Sequence, residues 1–286
     1  MKHQEPARRI SSEEFPPLLN EIPDPPSHLF IRGKLPDLSF SWLCIVGSRK
    51  HSSYGITACQ KLIRELAGYP IVIVSGLALG IDSCAHEEAI HYGIPTVAVP
   101  GSGILDSALY PRSNVGLAHK ILSHDGALLS ECSPEEQATV WGFPKRNRIM
   151  AGLCHATLII EAREKSGTLI TARLAMEYNR DVLIVPSSIT SQAGAGSNHL
   201  LREGAHAVTS GEDILESLGI TVNSKSISED VLTSEERIIL NSLDEPQTID
   251  ELCTTTGLDP SIVRISISLL EIKRCVTTML GKITRI

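Results

Sequence analysis

The sequence predicts an α/β chain: a Rossmann-like, doubly wound, mostly parallel sheet followed by a small C-terminal winged-helix domain. Three observations carry that expectation. Short apolar runs rich in β-branched residues alternate with helix-patterned stretches, and strands apolar on both faces belong to parallel sheets covered by helices. Turns holding Gly, Ser and cationic residues follow several of those runs, at the edge where a doubly wound sheet binds its ligands. Residues 231–286 carry a separate pattern of three short helices and two strands.

Residues 1–40 are Pro-rich (FPPLL, EIPDPPSHLFIRGKLPDL). Repeated proline excludes long helices, so this segment reads as an extended lead-in packed on the core. HLFIRG is a candidate edge strand, and the first dozen residues are expected to be mobile. A Rossmann-like domain is expected over 41–219. LCIVG (43–47) is its first buried strand, carried by GSRKHSSYG into a helix near 53–68. IVIVSG (71–76) and TVAVPGSG (96–103) are the next two strands, with a helix ending near His91 between them. A loop through LYPRSN leads to a helix near 113–124. ALLSE (127–131), ATLIIEA (156–162) and DVLIVP (181–186) follow as strands, then a short one in GAHAVTS (204–210) and the helix GEDILESLG.

Residues 220–230 (ITVNSKSISED) are polar and lack aromatics, the composition of a linker. In 231–286, LTSEERIILNSL begins at an N-cap, Thr233 or Ser234, with acids in the first turn. PQTIDELCTTTGL closes a second helix at Gly257, DPSIVRISISLLEIKR is a third, and two strands turn about Gly281. Six basic residues face eight acidic ones here. A module that reads a DNA groove should be basic, so this one reads as a protein-interaction device.

Composition narrows the function classes. With 42% hydrophobic and 4% aromatic residues, the core should be aliphatic. A net charge of −7 and a pI near 5.8 argue against a protein coated in basic charge, though not against one concentrated basic groove. The seven cysteines are scattered without a CxxC pair or zinc-site spacing, so they read as small, reduced, buried residues of a cytoplasmic protein. Neither a signal peptide nor a membrane-length apolar run is visible. The first strand lacks GxGxxG and the chain lacks GxxxxGK[ST], which excludes the dinucleotide fingerprint and a P-loop motor.

The charge contrast centres on Phe143–Thr171. From Lys145 to Arg173 there are six Lys or Arg against two Glu. Within this stretch ATLIIEA runs into KSGTL and a helix. A strand, a Gly turn and a helix N-terminus together expose N–H groups suited to an anion.

These residues resemble the DprA/Smf family of DNA-processing proteins of natural transformation. The likeness runs from about Pro16 to Ile214, through DPPSHLFIRG, GSRKHSSYG, SGLALGIDSCAH, LYPRSN, LLSE, FPKRNRIMAGL, EAREKSGTLITARLA and VPSSITSQAGAGSNHLLREGA. It implies a Rossmann-like core that binds single-stranded DNA, forms a homodimer and helps load the RecA recombinase. The winged-helix likeness is weaker, and Arg274–Cys275 stands where Gly is frequent after the third helix; in the Rossmann-like part, VPSS (185–188) stands where VPG is common. The additional N-terminal helical domain of many members is not expected here.

The candidate DNA-binding residues are Gly47, Ser48, Arg49, Ser52, Phe143, Lys145, Arg146, Asn147, Arg148, Lys165, Ser166, Gly167 and Thr168. Arg49, after a buried strand, reads as a phosphate ligand. Lys145, Arg146 and Arg148 cannot all point one way on a helix; some should face the DNA strand and others pair with Glu131 or Glu161. Asn147 is either a base contact or a helix cap, and Phe143 either a stacking platform or core packing. His86 and Asp82, four apart, form a structural pair in this reading. No catalytic constellation, metal or cofactor is expected. The competing class is a nucleotide-binding enzyme related to the lysine decarboxylase-like phosphoribohydrolases, which carry PGGxGT and a catalytic Glu where this chain has KSGT and a distant Glu177.

Overall fold

The computed structural model describes residues 6–221, 232–243, 245–272, 275–279 and 281–285. It divides into two units, Met1–Val222 and Asn223–Ile286. Most of the expected linker therefore lies outside the described residues. In the first unit nine strands form one sheet in the order β1-β2-β6-β5-β4-β3-β7-β8-β9. The parallel part comprises β3 (Ser41–Gly47), β4 (Ile71–Ser75), β5 (Thr96–Ala98), β6 (Ala127–Ser130), β7 (Ala156–Ile160), β8 (Asp181–Ile184) and β9 (His206–Ala207).

The period-2 alternation of each strand separates two cores. Trp42, Cys44, Val46, Val72 and Val74 point to one face, with α4 (Gly142–Leu153), α5 (Thr168–Glu177) and α6 (Ala195–Arg202) over it. Leu43, Ile45, Ile71, Ile73 and Leu158 point to the other. They meet α1 (Ser53–Glu65), α2 (Ile81–His91) and α7 (Gly211–Ser217). Both faces are thus dry, as runs without polar alternation require. From β3 the chain steps outward through β4, β5 and β6, then returns to place β7 on the other side of β3. That reversal is the switch point, and Gly47 pairs with Ile160 at its lip.

The lead-in packs on the first core through Phe15, Leu19 and Ile22. Its start differs from the sequence expectation: Arg8–Ile10 is an ordered strand, β1, antiparallel to β2 (Leu29–Gly33). Ile10 is buried opposite Leu29, which ties the segment down, so β1 rather than HLFIRG forms the edge. The strand expected over 96–103 ends at Ala98. Pro100 has no N–H to donate, and a side chain at Gly101 would sit 2.6 Å from the Phe143 ring. A further helix, α3 (Val115–Ser123), follows the LYPRSN loop.

The second unit is a winged helix. Its helices are α8 (Ser234–Ser242), α9 (Ile249–Thr256) and α10 (Pro260–Ile272), followed by the antiparallel wing β10 (Val276–Met279) and β11 (Lys282–Arg285). Capping boxes Thr233/Glu236 and Thr248/Glu251 start α8 and α9, and Gly257 at φ 69° ends α9. Ile239, Leu252, Val263, Ile267, Leu270 and Ile283 fill its core. On α10, Ile262, Ile265 and Leu269 remain exposed.

Candidate functional site

A cavity of about 530 Å³ opens at the switch point, in the size range of small-ligand pockets. Most of its wall comes from three segments, the turn after β3, the turn after β7 and the first turns of α4. Ala78 and Asp82 are added from the loop before α2 and the start of that helix. The β3 turn brings Gly47, Ser48, Arg49 and Lys50; the β7 turn brings Arg163, Lys165, Ser166, Gly167 and Thr168; α4 brings Phe143, Arg146, Asn147 and Met150. Among the described residues lining it, five cationic side chains face one carboxylate, Asp82. Arg49, Lys50, Arg163 and Lys165 are exposed, so their charge is available to an anion entering from solvent.

The turns are locked together. The Thr168 hydroxyl donates to Gly47 O at 3.2 Å, and Ser166 Oγ accepts from Thr168 N at 3.2 Å. Ser48 Oγ accepts from Lys50 N at 3.1 Å. Gly80, at φ 84°, passes so close that a Cβ there would lie 2.4 Å from Ser48 O. Two buried non-glycine residues adopt left-handed backbone at this edge, Leu77 after β4 (φ 55°) and Glu161 after β7 (φ 53°). Such strain persists only where neighbours over-determine it. Asn114, from LYPRSN, donates to Leu77 O at 2.9 Å and to Ser83 Oγ at 2.8 Å. Glu161 accepts from the Ser52 amide at 2.8 Å and from its hydroxyl.

Arg146 is 7% exposed and donates to Gly76 O at 2.7 Å and to Val99 O. It ties the ends of β4 and β5 to α4. Gly76 completes the arrangement, because its N–H donates to Asp82 Oδ2 at 3.1 Å. Burial raises the Asp82 carboxyl above the usual carboxylate range, while the Arg146 charge opposes that rise. Burial likewise lowers Arg146, with Asp82 opposing. Arg49 stacks its guanidinium 5.3 Å from the Phe143 centroid, and Tyr110 tilts against the same ring at 5.7 Å.

The structure divides the sequence candidates. It gathers Gly47, Ser48, Arg49, Phe143, Arg146, Asn147, Lys165, Ser166, Gly167 and Thr168 around one cavity. Ser52, Lys145 and Arg148 lie outside it. Ser52 caps α1, accepting from Gly55 N at 3.2 Å, and holds Glu161. Arg148 forks onto Glu131 with both oxygens at 2.7 Å and donates to Asp24 O at 2.6 Å. Lys145 lies 3.4 Å from Glu131. A helix turns its residues by roughly 100° each, so consecutive cations must diverge. The Glu131 pairing expected for part of the run is present, whereas Glu161 takes Ser52 instead. Asn147 sits inside α4 and caps nothing; its Oδ1 accepts from Arg146 Nε at 3.1 Å.

His86 and Asp82 also part company. His86 Nδ1 lies 2.7 Å from Thr96 Oγ1, whose proton goes to Ile73 O, so Nδ1 is the donor. Burial pushes the imidazole down to about 3, making it a neutral core group. The sequence reading missed Lys50 and Arg163 as site residues; each lies inside a motif quoted above, and their charge was the available signal. No His/Cys/Asp/Glu group among the described residues is arranged to hold a metal.

The model of the family described as DNA recombination-mediator protein A matches residues 7–219. The chain belongs to the DprA/Smf family. A second model, the DprA winged helix domain, matches 224–282. Similar curated proteins include the DNA processing protein DprA of Streptococcus pneumoniae, 44% identical over 210 residues, covering 73% of each chain. Protein Smf of Escherichia coli is 40% identical over 207 residues, covering 72% of this chain and 55% of that one. Among solved structures, S. pneumoniae DprA aligns with a TM-score of 0.68 at 41% identity, covering 75% of each chain. DNA processing protein A of Helicobacter pylori, described for its single-stranded DNA binding mode, aligns at 0.66 and 28% identity, covering 76% of this chain and 98% of that one.

Proposed function

We propose that the switch-point cavity binds single-stranded DNA through its phosphates, without reading sequence. The observation that carries this is the convergence of Arg49, Lys165 and Phe143 on one cavity. The cations suit a phosphate and the aromatic face suits an unpaired base. Duplex DNA presents only phosphates and groove edges, so Phe143 would gain no stack from it. The single-stranded DNA binding of the H. pylori relative supports this reading. Arg146 and Asp82 serve as internal struts, because their hydrogen-bonding groups are turned to the strand ends.

In this reading the protein coats and protects the strand as a homodimer in the cytoplasm and helps load RecA onto it, with no catalytic step, cofactor or metal. No helix among the described residues is long and apolar enough to cross a membrane. The winged helix is a protein-interaction module, since its third helix exposes Ile262, Ile265 and Leu269 where a groove reader needs cations. The deciding experiment is fluorescence anisotropy with labelled single- and double-stranded oligonucleotides across a salt series, beside an assay for base release from AMP. Each phosphate contact contributes a slope of about −0.7 in log K against log salt. Three to five contacts, roughly, set a total between about −2 and −4. A flat salt response or equal affinity for blunt duplex refutes the reading, and base release supports the enzyme class instead.

A further inference from the structure

The surface beside the first cavity holds a feature the switch-point site does not use. Trp141 is 84% exposed and Val140 80% exposed. A large ring left in water beside a ligand cavity is a mark of an interaction surface. Trp141 is the N-cap of α4 with helical backbone (φ −78°, ψ −20°). Phe143 lies two positions on, so the two side chains leave the helix roughly 200° apart and face opposite flanks. Phe143 lines the first cavity, and Trp141 lines a second of about 190 Å³. Arg146 lines both and is their common wall.

We propose that Trp141 and this second cavity form a second base subsite, taking the next unpaired nucleobase of a strand that leaves the first cavity across the start of α4. The inference rests on the single-strand reading above and extends it. Charge decides which part of the nucleotide enters. Glu131 and Glu136 balance Lys145 and Arg146 in the lining of the second cavity, so it lacks the cationic excess that suits the first cavity to a phosphate and admits a neutral base. Glu131 is already held by Arg148 at 2.7 Å, and Glu136 accepts from Ser133 N at 3.2 Å. Of the two cations lining it, Arg146 is buried, whereas Lys145, 64% exposed along its side chain and 3.4 Å from Glu131, sits where the linking phosphate passes. The polar lining is taken up by these internal bonds, and Trp141 supplies a π-face that every base can use. The subsite is therefore tolerant of sequence.

The chain contains two tryptophans, and Trp42 is 1% exposed in the core. Trp42 adds a shielded background, and the acrylamide-accessible part of the intrinsic emission therefore reports Trp141. Titrating the full chain with unlabelled oligo-dT should quench Trp141 emission and shield it from acrylamide, at the same midpoint that anisotropy gives with a labelled strand. Trp141→Ala should weaken binding roughly 5- to 150-fold, the span of one base–aromatic stack. Trp141→Phe should retain most of the affinity. An oligonucleotide with one abasic site in its bound segment should restore part of the emission. Binding by anisotropy with unchanged Trp141 emission, and a Trp141→Ala variant that binds like wild type, overturns the subsite and leaves the single-strand reading standing. Absence of any strand binding overturns both. A Trp141→Ala variant that binds DNA normally but changes sedimentation assigns the patch to a protein partner and likewise overturns the subsite.

Discussion

Replacing Arg49 by Ala removes the cation that the first cavity holds over Phe143. Arg49 is exposed, and beyond the ring contact at 5.3 Å it acts on buried Asp82 only through its charge, so the fold should survive. The cation–π contact exists with or without DNA, so its loss largely cancels from the binding difference. What remains is one charge-assisted hydrogen bond to a phosphate, about 1.5–3 kcal/mol. At 1.4 kcal/mol per decade that is a rise of roughly 10- to 150-fold in Kd for a single strand. The salt slope should become shallower by about 0.7, because one fewer counterion is released. Arg49→Lys should keep most of the slope while losing bidentate geometry. The assay is anisotropy at four or five salt concentrations, with circular dichroism to certify the fold. Unchanged affinity and slope in a folded Arg49→Ala protein would place the phosphate contacts elsewhere and refute the reasoning.

Other consequences are independent of that one. Gly76→Ala puts a Cβ 2.1 Å from the Arg146 guanidinium, which is pinned between two carbonyls. Urea unfolding should show a loss of about 1–3 kcal/mol or more; a neutral result would mean α4 is not anchored there. His86 has its folded value pushed to about 3 from an ordinary 6.5, so the unfolded chain binds the extra proton between those limits. Its contribution is full above pH 6.5 and is lost as pH falls toward 3, with a slope of up to about 1.4 kcal/mol per pH unit. Asp82, raised by burial, opposes this in acid, so the measurement is the difference in slope between wild type and His86→Gln, and parallel curves would refute it. Truncation near Ser226 should leave short-strand affinity within about tenfold, or 1.4 kcal/mol. A greater loss would show that the winged helix touches DNA.

Strands β3 to β8 of the parallel sheet were legible because each is a local apolar run buried on both faces, whereas β9 is two exposed residues. β1 was not legible, because RRI has one apolar residue and becomes a strand only by pairing with β2. The overlong third strand failed for a related reason: TVAVP reads as continuous, but Pro100 and the Phe143 ring above Gly101 end it. Within the site, the Gly-containing turns announced themselves by composition. The separate fates of Lys145, Arg146 and Arg148 did not. Adjacent cations look equivalent in a sequence, yet helical rotation sends one to the carbonyls of the strand ends and two to Glu131. Arg146, Asn147 and Arg148 are buried polar residues, so the first half of α4 lacks the apolar pattern that marks a buried helix.

The sequence by itself determined the layered architecture, the winged-helix pattern and the family, because periodicity, turn chemistry and motif spacing are local properties of the chain. Only the tertiary structure decided which charges face solvent, that Phe143 and Trp141 open onto different cavities, and that His86 and Asp82 serve separate partners. Those outcomes depend on which distant backbone groups a side chain reaches once β7 returns beside β3. A buried polar group takes the partner that the fold brings within hydrogen-bond distance, because leaving it unpaired costs more than the bond itself contributes.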